Sequence, residues 1–456
     1  MRSKELVLAA LYNQTTPRTP WVPFVGCHAA SLIGVTADQY LQSADLITEG
    51  ITEAISRYRP DGIPALFDLQ IEAEALGCKL QWSKDNPPAV VSHPLEEGQT
   101  IESLKIPDEH DGRFPEVLEA VRRICSGSGR DIAVYGLITG PFTLALHLLG
   151  TEIFYQMIDD PEQVHRLMAF TEQVNIKTAQ MYLDAGVDVI AVVDPMTSQI
   201  SPDNFADFVR PYATRIFEMI RQAGKPGTFF VCGNARNNIE EMCRCNPDGL
   251  SIDENIPLDY VRDVCRQYGI SFGGNIRLTV TMLFGTPADN VNEAMNCMNI
   301  GGTQGFILAP GCDMPFDVPP DNVSAITALV HGEIGCFMDA VDEQKDVEVT
   351  LPDYTDQKHV YVDVVTLDSS SCAPCQYMME AVRQAVKGIE GPIVYQEHKI
   401  RNRAGIAVMK KLGVENIPTI VIDGKVQFVS IIPDEETIIE TLQTAMAKKG
   451  ISTTQL

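Results

Sequence analysis

The sequence predicts an α/β protein of two domains: a (β/α)₈ barrel over residues 1–340 and a smaller α/β domain over 357–456, joined by a linker at 341–356. Three observations carry this. From Trp21 to Val330, apolar strand-like runs alternate with long amphipathic stretches, the pattern of a parallel sheet with crossover helices. After Gly332 the composition changes, and a shorter set of alternating runs follows. At 456 residues the chain is also too long for one ordinary core.

Eight strands are expected in the first domain: 21–26, 62–67, 132–137, 187–193, 227–232, 249–252, 270–274 and 305–309. Eight βα units over this length favour a closed TIM-type barrel over an open doubly wound sheet. Helices are expected over 162–185 and 202–223. The second is opened by Ser201-Pro202, a capping residue followed by proline at the first helical position. Residues 79–94, with Pro87-Pro88 and alternating valines, read as an inserted hairpin. Residues 342–356 are charged and lack helical period. Beyond them come a strand at 360–367, a helix at 377–387, a strand at 393–398, a helix at 403–411, a hairpin at 419–430 turning at Asp423-Gly424, and a helix at 435–448. No internal repeat links the two halves.

The net charge is −26. Residues 1–348 hold 48 acidic and 24 basic side chains and residues 349–456 hold 13 and 11, so the acidity belongs to the barrel. That charge disfavours nucleic acid and anionic membranes as partners. No apolar run approaches the roughly 18 residues of a membrane helix. The first dozen residues contain Glu5 and no small-residue cleavage pattern, so an amphipathic helix and a cytoplasmic location are expected. The twelve cysteines lack the regular spacing of a disulfide framework. Cys243 and Cys245 fall two apart on a helix and point to different faces, which speaks against a joint metal site. Cys78, Cys125, Cys265, Cys297 and Cys336 read as ordinary buried thiols.

Cys372-Ala373-Pro374-Cys375 lies between a strand and a helix. A thiol at a helix N-terminus meets unpaired N–H groups and the positive end of the dipole, which makes it nucleophilic; the second thiol, one turn on, can close a disulfide. With Ile417-Pro418-Thr419 opening a later apolar strand, this region resembles the thioredoxin family. The resemblance implies a thioredoxin fold, dithiol redox chemistry by Cys372 and Cys375, and a cis-proline role for Pro418. A zinc site here would need a second ligand pair, which His359 and His398 do not supply by spacing.

The active face of a barrel lies at the C-terminal ends of its strands. There the sequence places Gly26-Cys27-His28, Phe67-Asp68, Gly140-Pro141-Phe142 leading to His147, Asp194-Pro195, Val231-Cys232-Gly233-Asn234 and Ala309-Pro310-Gly311-Cys312-Asp313. These segments resemble the uroporphyrinogen decarboxylase superfamily over nearly all of the first 330 residues, and most closely its corrinoid-dependent methyltransferase branch. That resemblance implies transfer of a methyl group between a cobalt corrinoid and a thiol, with a His-x-Cys pair and a later Cys binding zinc. This chain departs from the pattern, because Phe230 stands at the histidine position. The expected zinc ligands are therefore Cys232, Cys312 and His28, with His147 next in line; zinc accepts Cys₂His with an open fourth position. The alternative is that Cys232 and Cys312 are semi-buried thiols and His28 a hydrogen-bonded loop residue.

Asp68 matches the catalytic aspartate of the decarboxylases, and His147 the position of a site tyrosine. Asp194 and Glu254 are strand-end acids placed to orient substrate, or to serve the fold. Decarboxylase activity itself is disfavoured: the family's Arg-Gln-Ala-Gly-Arg segment is replaced by Trp21-Val-Pro-Phe-Val-Gly-Cys-His28, and a strongly acidic barrel suits a polycarboxylate poorly. No Asp-x-His-x-x-Gly motif occurs, so a corrinoid must come on a separate protein. The expectation is a corrinoid-dependent methyltransferase acting on a thiol or a methylated small molecule. The competing reading is a thiol–disulfide redox protein whose barrel only binds a partner or small thiol.

Overall fold

A computed structural model describes residues 1–333, 349–370, 372–400, 403–414, 416–451 and 454–455. The chain divides into two compact units, Met1–Val341 and Asp342–Leu456. In the first, seven parallel strands pair in chain order: Gly62–Pro64, Ala133–Thr139, Val189–Val193, Gly227–Val231, Gly249–Ile252, Ser271–Ile276 and Phe306–Pro310. The expected eighth strand at 21–26 is reduced to a bridge. Leu308 N–H donates to the Pro20 carbonyl, Val22 N–H to the Leu308 carbonyl, and Asp61 N–H to the Trp21 carbonyl. This short segment spans the two open edges of the curled sheet. Pro20 and Pro23 lack the N–H groups that a longer ladder would need.

The helices form where capping and apolar spacing agree. The Pro161–Ala185 helix starts with Asp160 accepting from Gln163 N–H at 3.2 Å and Pro161 in its first turn, and it stops at Gly186 with φ of 105°. Ser201 caps the next helical stretch by accepting from Asn204 N–H. That stretch, expected as one helix over 202–223, passes through a wider π-type turn at Phe205–Val209 before continuing as Arg210–Gln222. The inserted hairpin is the antiparallel pair Leu80–Gln81 and Ala89–Val90. Inside the sheet the core is filled from alternate strand positions, with Phe24, Phe67, Tyr135, Leu137, Val193, Phe230 and Ile307 among its members.

The second unit has a four-stranded sheet in the order Ile393–Lys399, Val360–Thr366, Thr419–Ile422, Lys425–Val429. The first pair is parallel and the rest antiparallel. The hairpin turns at Asp423 and Gly424, both with positive φ. Helices Ala373–Lys387 and Glu435–Lys448 contribute Met378, Met379, Val382, Ile438, Leu442 and Met446 to its core. Cys336 lies outside the described residues, as does the first half of the linker, residues 341–348. Among the described residues, no helix is long and apolar enough to cross a membrane.

Candidate active site

The ends of the Gly227–Val231 and Phe306–Pro310 strands bring Cys232 and Cys312 together as a disulfide, with Cα atoms 5.9 Å apart. Both residues are half-buried and rest on the apolar filling of the barrel. Directly beneath lies a cluster of three aromatic rings: Phe230 and Phe24 have centroids 4.9 Å apart, Phe230 and Phe67 5.8 Å, and Phe24 and Phe67 6.2 Å. Side chains two apart on a strand share a face, so Phe230 and Cys232 both point inward. The ring at 230 therefore seals the floor on which the sulfur sits.

His28 does not join them. Its ring is fully buried, with Nε2 2.7 Å from the Tyr58 hydroxyl and Nδ1 3.0 Å from the Phe316 carbonyl oxygen. Burial lowers its pKa to about 4, so it is neutral. The expectation that His28 completes a zinc site is thus overturned: both ring nitrogens hold the first helix of the barrel mouth against its neighbours. His147 sits in the last turn of the Pro141–Leu149 helix, nearly fully buried, and burial takes its pKa to about 3. Among the described residues its Nδ1 meets no hydrogen-bond partner. Among the described residues no group of three or more His, Cys, Asp or Glu side chains is arranged to hold a metal. Two cysteines already bonded to each other, with both ring nitrogens of His28 engaged by Tyr58 and Phe316, do not fit the Cys₂His zinc centre expected from the sequence.

The acids are placed by different elements. Asp68, buried just past the first strand, accepts from Gln70 N–H at 2.8 Å and from Arg113 Nη1 at 2.7 Å. Arg113 also reaches Glu74 at 2.5 Å and the Leu41 carbonyl, and stacks over Trp82 at 4.8 Å. Asp194 is fully buried and accepts from Phe142 N–H (3.1 Å), Thr143 N–H (2.8 Å) and the Thr143 hydroxyl (2.6 Å). It caps the Pro141–Leu149 helix, and burial raises its pKa to about 6. Both oxygens are engaged by that helix.

Next to the disulfide, Asp253 accepts from Gly233 N–H at 2.8 Å, and Glu254 packs against Gly311 while accepting from Leu278 N–H at 2.9 Å. Burial raises both acids, and with the Asp253 charge beside it Glu254 reaches about 8. Burial likewise brings Glu72, which accepts from Thr139 N–H and hydroxyl, to about 7. Asp313 fits its carboxylate into the space left by Gly26, whose φ of 39° and missing side chain make the approach possible. Arg113 and Asp253 were not singled out from sequence. Arg113 lies 45 positions from Asp68 and nothing local signals the pairing. Cys243 and Cys245 are both buried.

In the second unit, Cys372 is half-buried at the N-cap of the Ala373–Lys387 helix, and Cys375 is fully buried one turn in. Burial, then the hydrogen bond to Cys372, pushes the Cys375 thiol well up. Pro418 is buried, follows a cis peptide bond, and precedes the Thr419–Ile422 strand. That strand pairs Thr419 with Val365, so Pro418 stands at the end of the sheet from which the dithiol loop departs.

A curled parallel sheet with cysteines and acids at its strand ends, and a second unit with a Cys-x-x-Cys pair at a helix start, define a barrel-type α/β domain joined to a thioredoxin-like α/β domain. Residues 2–333 match the model of the uroporphyrinogen decarboxylase family, and the chain belongs to that family; residues 360–443 match a thioredoxin domain. A methylcobamide:CoM methyltransferase of Methanosarcina acetivorans is 25% identical over 326 residues, covering 70% of this chain and 95% of that protein. A methylated-thiol–coenzyme M methyltransferase of Methanosarcina mazei is 28% identical over 307 residues, 65% of this chain and 81% of that protein. A uroporphyrinogen decarboxylase of Anaeromyxobacter dehalogenans is 25% identical over 303 residues, 64% and 86%. Among solved structures, a methyltransferase from Methanosarcina mazei superposes with a TM-score of 0.67 at 24% identity, covering 73% of this chain and 99% of that one.

Proposed function

We propose that the barrel transfers a methyl group between a cobalt corrinoid carried by a separate protein and a small thiol. The observation that carries this reading is the meeting of Cys232 and Cys312 at the strand ends, on the two motifs that resemble the methyltransferase branch. The naming of relatives as methylcobamide:CoM and methylated-thiol methyltransferases supports it. The corrinoid, when presented, supplies an electrophilic methyl group or a nucleophilic cobalt. This chain supplies the rest. The Phe24, Phe67 and Phe230 rings form a dry floor that keeps water from the reacting sulfur. Asp68 is held in place by its salt bridge to Arg113, and the raised carboxyls of Glu72 and Glu254 offer groups that hold or release a proton when a thiol is deprotonated or a leaving group departs. No step runs through zinc, because the donors expected for it are engaged elsewhere.

In this reading the C-terminal domain exchanges disulfides through Cys372 and Cys375, with Pro418 at its site. The test of methyl transfer is anoxic. Prereduced protein, methylcobalamin and a panel of small thiols should convert the methylcobalamin spectrum to that of Co(I). No conversion with any thiol, and no methylation of Co(I) by methoxy or methylthio donors, would remove the reading.

A further inference from the structure

We propose that the Cys372/Cys375 dithiol is a reductant whose substrate is the Cys232–Cys312 disulfide at the barrel mouth. The pair joins two strand ends 80 residues apart, and among the described residues it is the disulfide the chain holds. Both sulfurs belong to half-buried residues, as does the free thiol of Cys125, contrary to the sequence expectation of a buried one; Cys27, Cys78, Cys243, Cys245, Cys265 and Cys297 are buried. A thiolate exchanges only with a disulfide sulfur it can reach, and the barrel pair offers both the S–S bond and partial exposure, whereas Cys125 is a thiol. The dithiol has the complementary asymmetry: Cys372 is half-buried at a helix N-cap and suited to attack, while Cys375 is buried behind it and suited to resolve.

The exchange balances without another reactant. The Cys372 thiolate attacks one barrel sulfur; the Cys232–Cys312 bond breaks, and the departing sulfur takes up a proton. Cys375 gives up its proton and attacks Cys372 Sγ; the mixed disulfide breaks, and the second barrel sulfur takes up a proton. Two electrons and two protons pass to the barrel, and Cys372–Cys375 becomes the disulfide. While the barrel pair is closed neither sulfur is a thiolate, so opening it returns two thiols to the strand ends where the proposed methyl transfer takes place. That consequence rests on the methyltransferase reading; the exchange itself does not.

The experiment uses the full chain and reads sulfur chemistry, not methyl transfer. In Cys375→Ser protein the attack cannot be resolved, and peptide mass spectrometry under non-reducing conditions should find Cys372 joined to Cys232 or Cys312. Separately, opening of the barrel pair by limiting dithiothreitol, followed by alkylation and mass, should be at least about tenfold faster in wild type than in Cys372→Ser protein. Equal opening rates overturn the proposal even if the Cys375→Ser chain fails to fold. So does a folded Cys375→Ser chain without the mixed-disulfide peptide, or a barrel pair found as free thiols in aerobically prepared Cys372→Ser/Cys375→Ser protein. Loss of methyl transfer with the exchange intact would strike the methyltransferase reading alone.

Discussion

His28→Ala separates a structural histidine from a metal ligand. The substitution removes a fully buried ring and leaves the Tyr58 hydroxyl and the Phe316 carbonyl without the partners they have at 2.7 and 3.0 Å. An unpaired buried hydroxyl and a partly buried carbonyl left without its partner cost about 1–3 kcal/mol each at most, and the vacated volume adds to this, so about 3–5 kcal/mol is expected. With an unfolding entropy of roughly 2.1 cal/mol/K per residue over roughly 330 residues, the barrel transition should fall by about 4–7 °C. Both tryptophans, Trp21 and Trp82, lie in the barrel, so their emission follows that transition alone. The pH dependence adds a second signature. His28 titrates near 4 in the folded chain and near 6.5 unfolded, so the unfolded state binds more protons between these values. Its contribution is present above 6.5 and lost as pH falls toward 4, about 2 kcal/mol of it between pH 7 and pH 5. Wild type should lose that increment over the interval and His28→Ala should not. An unchanged transition temperature and an unchanged pH slope in the variant, with metal content lowered instead, would refute the reasoning.

Three further outcomes follow from the same geometry. Asp194→Ala strands the Phe142 and Thr143 N–H groups and the Thr143 hydroxyl, and should cost about 2–4 kcal/mol of barrel stability by urea denaturation; full stability with lost turnover would instead make Asp194 a catalytic group. Phe230→Ala opens the aromatic floor under Cys232 and should cost about 3–5 kcal/mol, read by the same tryptophan-monitored melt. Arg113→Met leaves Asp68 buried without its cation and should cost about 3–5 kcal/mol, most of it recovered in Arg113→Met/Asp68→Leu; a double variant no better than the single one would show that the pair does not act as a unit.

The periodicities and turn residues determined the elements. Seven of the eight expected barrel strands are present to within three residues at either end, and the helices over 403–411 and 435–448 match throughout, because capping residues, glycine stops and apolar spacing are written locally. The dithiol's place at a helix start was legible for the same reason: strand, motif and helix are contiguous. The first strand was not legible as a bridge, since whether Pro20 and Pro23 break a ladder depends on which edges the segment meets. The site divides similarly. Cys232 and Cys312 were placed on the right face by their strands, but that they bond to each other while His28 turns to Tyr58 and Phe316 was decided by the closure of the sheet. Asp194 and Asp68 carry no mark in the chain that separates a helix cap from a group salt-bridged to an arginine 45 residues away. Backbone geometry and its caps are short-range, and the sequence states them directly. Partner choice among buried polar groups is long-range, and it is fixed only when packing removes water and each donor must find the acceptor that the fold has left beside it.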